Sequence, residues 1–233
     1  MGKNTKSRVG NHRSSASRNT RSRAHIVGVA LVSTSLWSAS HAQADVVAFW
    51  SLNTLNPLGA PNIMADVGKG TIDVSGFGLD AQVYQGTTLN AESGFTAGTA
   101  LGLAGMSANG SHLDVAIDTV GFMDLSMTFA SRRSATGFAS VTVQYWRGDL
   151  WADVETFSPN ALNWEVRMID LTSLDALEGG VALLRFTFDG ATGSTGSARI
   201  DNLSVTGSVV PAPAALSLFA CCVARGTRRR RID

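Results

Sequence analysis

The sequence predicts an all-β fold over residues 45–209, a two-sheet antiparallel sandwich of jelly-roll-like form. Three observations lead there. Apolar side chains recur at every second position in short runs, the period of a strand with one buried and one wet face. Clusters of Gly, Asn, Asp and Ser separate these runs. Helical periodicity is nearly absent, and only 171–177 reads as a helical turn.

In chain order, strands are expected at 46–52, 71–75, 81–85 and 99–104. Leu113, Val115 and Ile117 then alternate with His112, Asp114 and Asp118. Met123, Leu125, Met127 and Phe129 alternate with Asp124, Ser126 and Thr128, and Val141, Val143 and Tyr145 with Thr142, Gln144 and Trp146. Runs at 150–157 and 164–171 follow, then Leu184, Phe186 and Phe188 against Arg185, Thr187 and Asp189, and a last strand at 199–206. Turn clusters fall at 67–70, 108–111, 147–149 and 189–196. In the last strand Ile200 is out of phase with Leu203 and Val205, which a bulge at Asp201–Asn202 reconciles. About ten short strands with such spacing fit one sandwich domain.

Charge is segregated along the chain. Residues 1–44 carry seven basic side chains and no acidic one, and the last 24 residues carry five arginines against Asp233. Residues 45–209 hold seven basic and seventeen acidic side chains, a net charge of −10. A carboxylate-rich domain repels phosphate backbones, so nucleic acid is excluded as a partner. The only cysteines, Cys221 and Cys222, lie outside this region, so its stability is expected to come from the core alone.

Both ends read as targeting sequence. Residues 1–25 are polar and basic, 26–39 are mostly apolar, and Ala42 and Ala44 place small residues before Asp45. This is the order of a signal peptide, 1–44, cleaved between Ala44 and Asp45. No adjacent arginine pair precedes the apolar run, so a general secretory route is expected. At the other end Val210, Pro211, Ala212 and Pro213 precede an apolar run at 214–224, then Arg225 and the cluster Arg228, Arg229, Arg230 and Arg231. The prolines interrupt the strand, the apolar run enters the bilayer, and the arginines stay on the cytoplasmic side.

Residues 210–233 resemble the PEP-CTERM sorting tail of exported bacterial proteins, with Ala212 where that family usually has Glu. The apolar run of 11 residues would span about 16 Å as a helix, against a hydrocarbon core of about 30 Å. The stretches 48–53, 129–133, 184–192 and 199–203 are likewise similar to the jelly-roll domains that accompany such tails. The resemblance implies a membrane stage through the tail, an exosortase-type processing enzyme as partner, and delivery to the cell surface, outer envelope or extracellular polysaccharide matrix. It implies no activity.

Residues with chemistry to offer are few. His112 is the one histidine outside the leader and shares a strand face with Asp114, but no Gly-x-Ser-x-Gly elbow accompanies it. One histidine and no cysteine do not make an ordinary zinc site. Asp149, Asp153 and Glu155 read as a solvated hairpin rather than a paired-carboxylate cleft. Asp201 and Asn202 supply hard oxygens, and Asp45 or Asn53 on the first strand stand to lie beside them. Two readings are open there, a calcium site and a bulge whose side chains satisfy backbone groups. Trp146 and Trp151 flank the Arg147-Gly148-Asp149 turn, and Trp146 points outward if Val143 and Tyr145 face the core. Outward rings can stack on sugars, and inward ones would pack against a loop or the other sheet. Trp50 and Trp164 read as core residues. The expected function is a non-enzymatic structural or adhesive protein of the surface or exopolysaccharide matrix. The alternative is a carbohydrate-binding module, with calcium as a stabilising ion, and a secreted glycoside hydrolase is third.

Overall fold

The computed structural model describes residues 44–210. Of the targeting features, Ala44, Asp45 and Val210 fall within this range. Ala42, Pro211, Ala212, Pro213, Arg228, Arg229, Arg230 and Arg231 lie outside the described residues.

The strands in chain order are β1 (Asp45–Trp50), β2 (Asn62–Met64), β3 (Val67–Gly68), β4 (Gly70–Asp73), β5 (Ala81–Gln85), β6 (Thr99–Ala104) and β7 (His112–Asp118). They continue with β8 (Phe122–Arg133), β9 (Ser140–Trp146), β10 (Trp151–Phe157), β11 (Glu165–Asp170), β12 (Val181–Asp189) and β13 (Ser197–Val209). They form two antiparallel sheets, as the alternation predicts. The six-stranded sheet runs β10-β9-β12-β7-β4-β2. The seven-stranded sheet runs β11-β8-β13-β1-β3, with β6 also on β13 and β5 beyond it.

The core lies between the sheets. Leu113, Val115, Ile117, Leu184, Phe186 and Phe188 face it from the six-stranded sheet, and Leu125, Met127, Phe129, Leu203 and Val205 from the other. Phe77, Phe138 and Phe188 meet edge to face, with ring centroids 5.5–6.2 Å apart. Such pairs each add about 0.5–1.5 kcal/mol beyond burial. Trp50 is fully buried, and its indole N–H donates to the Ile63 carbonyl at 3.1 Å.

The long strand β13 organises the seven-stranded sheet. On one side it pairs with β8 along most of its length. On the other, Ser197–Ile200 pairs with β6, and residues 203–207 pair with β1. The change of partner falls at the bulge, where the register slips between Asp201 and Ser204. Asn202 takes a left-handed backbone there, with φ of 49°. The sequence places this irregularity correctly.

Several details differ from expectation. The 67–70 cluster, read as a turn, contributes Val67–Gly68 as a short strand on β1 and begins β4 at Gly70. Short 3₁₀ turns at Ser75–Asp80 and Met106–Ala108 had no periodicity to announce them. The 171–177 segment holds a single 3₁₀ turn, Asp175–Leu177. Trp164 stands outside the core cluster, half-buried beside Arg132, because it sits at the mouth of β11 on the outward phase.

Candidate functional site: the outer face of the six-stranded sheet

Val141 and Val143 are buried and Tyr145 packs against the core, so β9 turns Thr142, Gln144 and Trp146 outward. On β10, Trp151 lies directly opposite Trp146 and Asp153 opposite Gln144. The turn between them closes through the Arg147 N–H on the Leu150 carbonyl at 3.0 Å, with Gly148 at φ 100°. The two indoles are half-buried, their centroids 5.4 Å apart and their planes at 61°.

The neighbouring strands complete a polar row. Arg185 on β12 is opposite Gln144 on one side and Asp114 on the other. Its Nε and terminal nitrogen donate to the two Asp114 oxygens at 2.7 and 2.8 Å. This bidentate bond raises the arginine pKa above its ordinary value, against a lesser pull from burial. The same guanidinium lies 4.3 Å from the Trp151 ring centre. Gln144 donates to Asp153 at 2.8 Å, Thr142 and Thr156 share a hydrogen bond of 2.9 Å, and His112 Nε2 stands 4.0 Å from Asp114.

The face therefore presents two indoles beside an amide, carboxylates, a guanidinium, hydroxyls and an imidazole. Flat aromatic surface next to fixed donors and acceptors is suited to a ligand with apolar faces and hydroxylated edges. Asp114 is held by Arg185. Glu155, beyond an irregularity in β10 after Asp153, pairs instead with Arg167 of the other sheet at 3.0 Å. Trp146 and Trp151 stand out in the sequence as a pair, and Asp114 and Asp153 in other contexts, but nothing in it joins Arg185 and Gln144 to them. Their phase is legible, whereas the order of the strands that aligns them is not.

Asp201 and Asn202 serve the 86–98 loop. Asp201 is fully buried, and its oxygens accept the backbone N–H groups of Thr87 at 2.6 Å and Asn202 at 3.0 Å. Burial pushes its pKa up to about 7, against the pull of these two bonds. The Asn202 amide donates to the Thr87 and Leu89 carbonyls at 2.7 and 2.9 Å, and Asn90 donates back to the Asn202 carbonyl at 2.7 Å. Asn53 fixes the loop's far end through Thr96 and Thr99, whereas Asp45 pairs with Gly207. Calcium takes about six to eight oxygens. Among the described residues no group of three or more His, Cys, Asp or Glu is gathered to hold a metal. Both Asp201 oxygens and the Asn202 amide nitrogen serve the backbone, whereas Asn202 Oδ1 is buried without a hydrogen-bond partner among the described residues.

No protein-family model matches the chain, and no curated protein matches it in sequence. Similar solved structures include the family 29 carbohydrate-binding module, at 15% identity and TM-score 0.40, covering 75% of this chain and 97% of that one. Another is a family 61 module in complex with β-1,4-galactotriose, at 10% identity and TM-score 0.38, covering 56% and 83%. A third comprises the family 22 binding and family 10 hydrolase modules of a Clostridium thermocellum xylanase with xylohexaose. It is 14% identical with TM-score 0.42, and the alignment covers 74% of this chain and 31% of that one. No helix among the described residues is long and apolar enough to cross a membrane.

Proposed function

We propose that the sandwich is a non-catalytic carbohydrate-binding module whose glycan lies across the outer face of the six-stranded sheet. The observation that carries this reading is the Trp146–Trp151 pair, set outside the core and braced by the Arg185–Asp114 bridge. A sugar stacks on indole through its C–H face while its hydroxyls meet the Gln144, Asp153, Thr142 and His112 edges. The engagement of Asp114 by Arg185 and of Glu155 by Arg167 supports binding over hydrolysis, because a carboxylate locked in an ion pair is a poor proton donor. The reading extends to delivery. The leader at 1–44 takes the chain out, and the tail at 210–233 is processed by an exosortase-type enzyme, so the module works at the surface or in the polysaccharide matrix. The structural or adhesive role expected from the sequence then becomes adhesion through polysaccharide.

The test is a glycan array probed with the purified chain, with and without calcium. Wild type is expected to bind a subset of glycans, and Trp146→Ala and Trp151→Ala each to lose at least about tenfold in affinity. Wild type that binds no glycan in either condition overturns the reading, as does release of reducing ends from a bound polysaccharide.

A further inference from the structure

On the opposite side of the molecule, the outer face of the seven-stranded sheet carries a second ordered row. Arg199 of β13 is directly opposite Arg132 of β8 on one side and Gly102 of β6 on the other. Gly102 faces Gln82 of β5. A Cβ at Gly102 would collide with the Tyr84 ring, so the glycine lets that ring lie down on the strand. The Arg199 guanidinium rests 4.2 Å from the Tyr84 ring centre, and the Arg132 guanidinium 5.9 Å from that of Trp164. All four side chains are half-buried.

Two like charges opposite each other across a strand pair destabilise a sheet. Here they stand in a domain with seventeen carboxylates. Yet among the described residues neither guanidinium forms an ion pair: the salt bridges use Lys69, His112, Arg167 and Arg185. Arg132 Nε is buried and has no hydrogen-bond partner. Asp201, two residues along the same strand, has its oxygens on backbone N–H groups. Burial and the neighbouring Arg132 charge both hold the Arg199 pKa below its ordinary value.

The rings engage the guanidiniums by their faces, which leaves in-plane N–H edges for a ligand. Those edges match the two oxygens of a carboxylate or sulfate, whose negative charge would relieve the repulsion. The row crosses from β5 to the mouth of β11, about 19 Å at about 4.8 Å per strand. An open line of that length suits a polymer more than a small free anion. A net charge of −10 disfavours nucleic acid, which carries one charge per about 1.7 Å of duplex, and favours a chain with sparser charge.

We propose that Arg132 and Arg199, held by Trp164 and Tyr84, form a second binding face that takes an acidic polysaccharide through its carboxylate or sulfate groups. This face shares no residue with the Trp146–Trp151 site, so each can fail without the other.

Affinity electrophoresis of the purified chain tests it, in native gels containing polygalacturonate, a sparsely sulfated dextran, neutral dextran or duplex DNA. Retardation by polygalacturonate alone identifies a carboxylate ligand, and retardation by the sparsely sulfated dextran a sulfate one. While Lys69→Gln, which removes an exposed positive charge outside both faces, keeps wild-type affinity, the Arg132→Gln/Arg199→Gln variant is expected to lose at least about tenfold. Its fold is checked by far-UV circular dichroism, and if it does not fold, the two single glutamine variants are read in its place. If those also fail to fold, the wild-type lanes decide, with retardation confined to an acidic polysaccharide supporting the proposal. Three results overturn it: no retardation of wild type by either acidic polysaccharide, equal retardation by neutral dextran or DNA, or folded glutamine variants that bind as wild type does.

Discussion

The guanidinium of Arg185 sits 4.3 Å from the ring centre of Trp151, although β9 runs between their strands. Strands two apart are separated by about 9.6 Å, so the side chains must reach toward each other across β9. Asp114 fixes the arginine from the far side through two bonds. Removing the arginine therefore releases a ring on a different strand. Arg185→Ala is expected to cost about 1 kcal/mol in stability, a modest figure because the bridge is partly solvated. It is also expected to change the near-UV circular dichroism of the tryptophans and weaken glycan binding. Unchanged near-UV spectra would show that the ring is positioned without the arginine.

Asp201 gives the protein a pH dependence of defined sign. Its folded-state pKa of about 7 exceeds the ordinary 3.8, so between these values the folded chain holds a proton that the unfolded chain releases. Stability from this group is full below about 3.8 and declines as pH rises toward about 7. Asp201→Asn, which stays neutral, is expected to flatten the fall in melting temperature across that window. An equal slope in the variant would assign the dependence to other groups.

Gly102 is the support on which Tyr84 lies. Gly102→Ala is expected to displace the ring, because the new methyl group overlaps it, and to lower stability by about 1–3 kcal/mol. Denaturant unfolding measures this, and a neutral result would mean that Tyr84 swings aside freely.

Phe138 is fully buried and meets both Phe77 and Phe188. Phe138→Ala is expected to cost about 3–5 kcal/mol, a large share of a typical domain's stability of about 5–15 kcal/mol. Loss of under about 1 kcal/mol would mean that the loop carrying it collapses into the space.

Processing at the ends is read by intact mass of the protein recovered from its native host. An N-terminus at Asp45 and loss of the arginine cluster are expected. Recovery of the whole chain from Met1 to Asp233 would remove the support for export and sorting.

Strand phase was legible in the residues, because burial on one face imposes a period of two; Leu113, Val115 and Ile117 all face the core as that rule requires. The bulge was legible because Ile200 and Leu203 cannot share a phase without one extra residue. Neighbours were not legible. That Arg199 faces Arg132, or that Arg185 stands between Gln144 and Asp114, depends on which distant strands pair. Local alternation carries no information about that. Trp164 misled for the same reason: an aromatic at a strand's mouth looks like core until the facing arginine is known.

The way β13 divides its pairing has a consequence for how the molecule comes into being. One strand near the end of the domain joins three others, β8, β6 and β1, that are made well before it. Until those final residues emerge, three older segments lack the shared neighbour that unites them, and the sheet cannot close. Assembly of that sheet is thus deferred to the last stage of synthesis, and the earlier chain stays open until then.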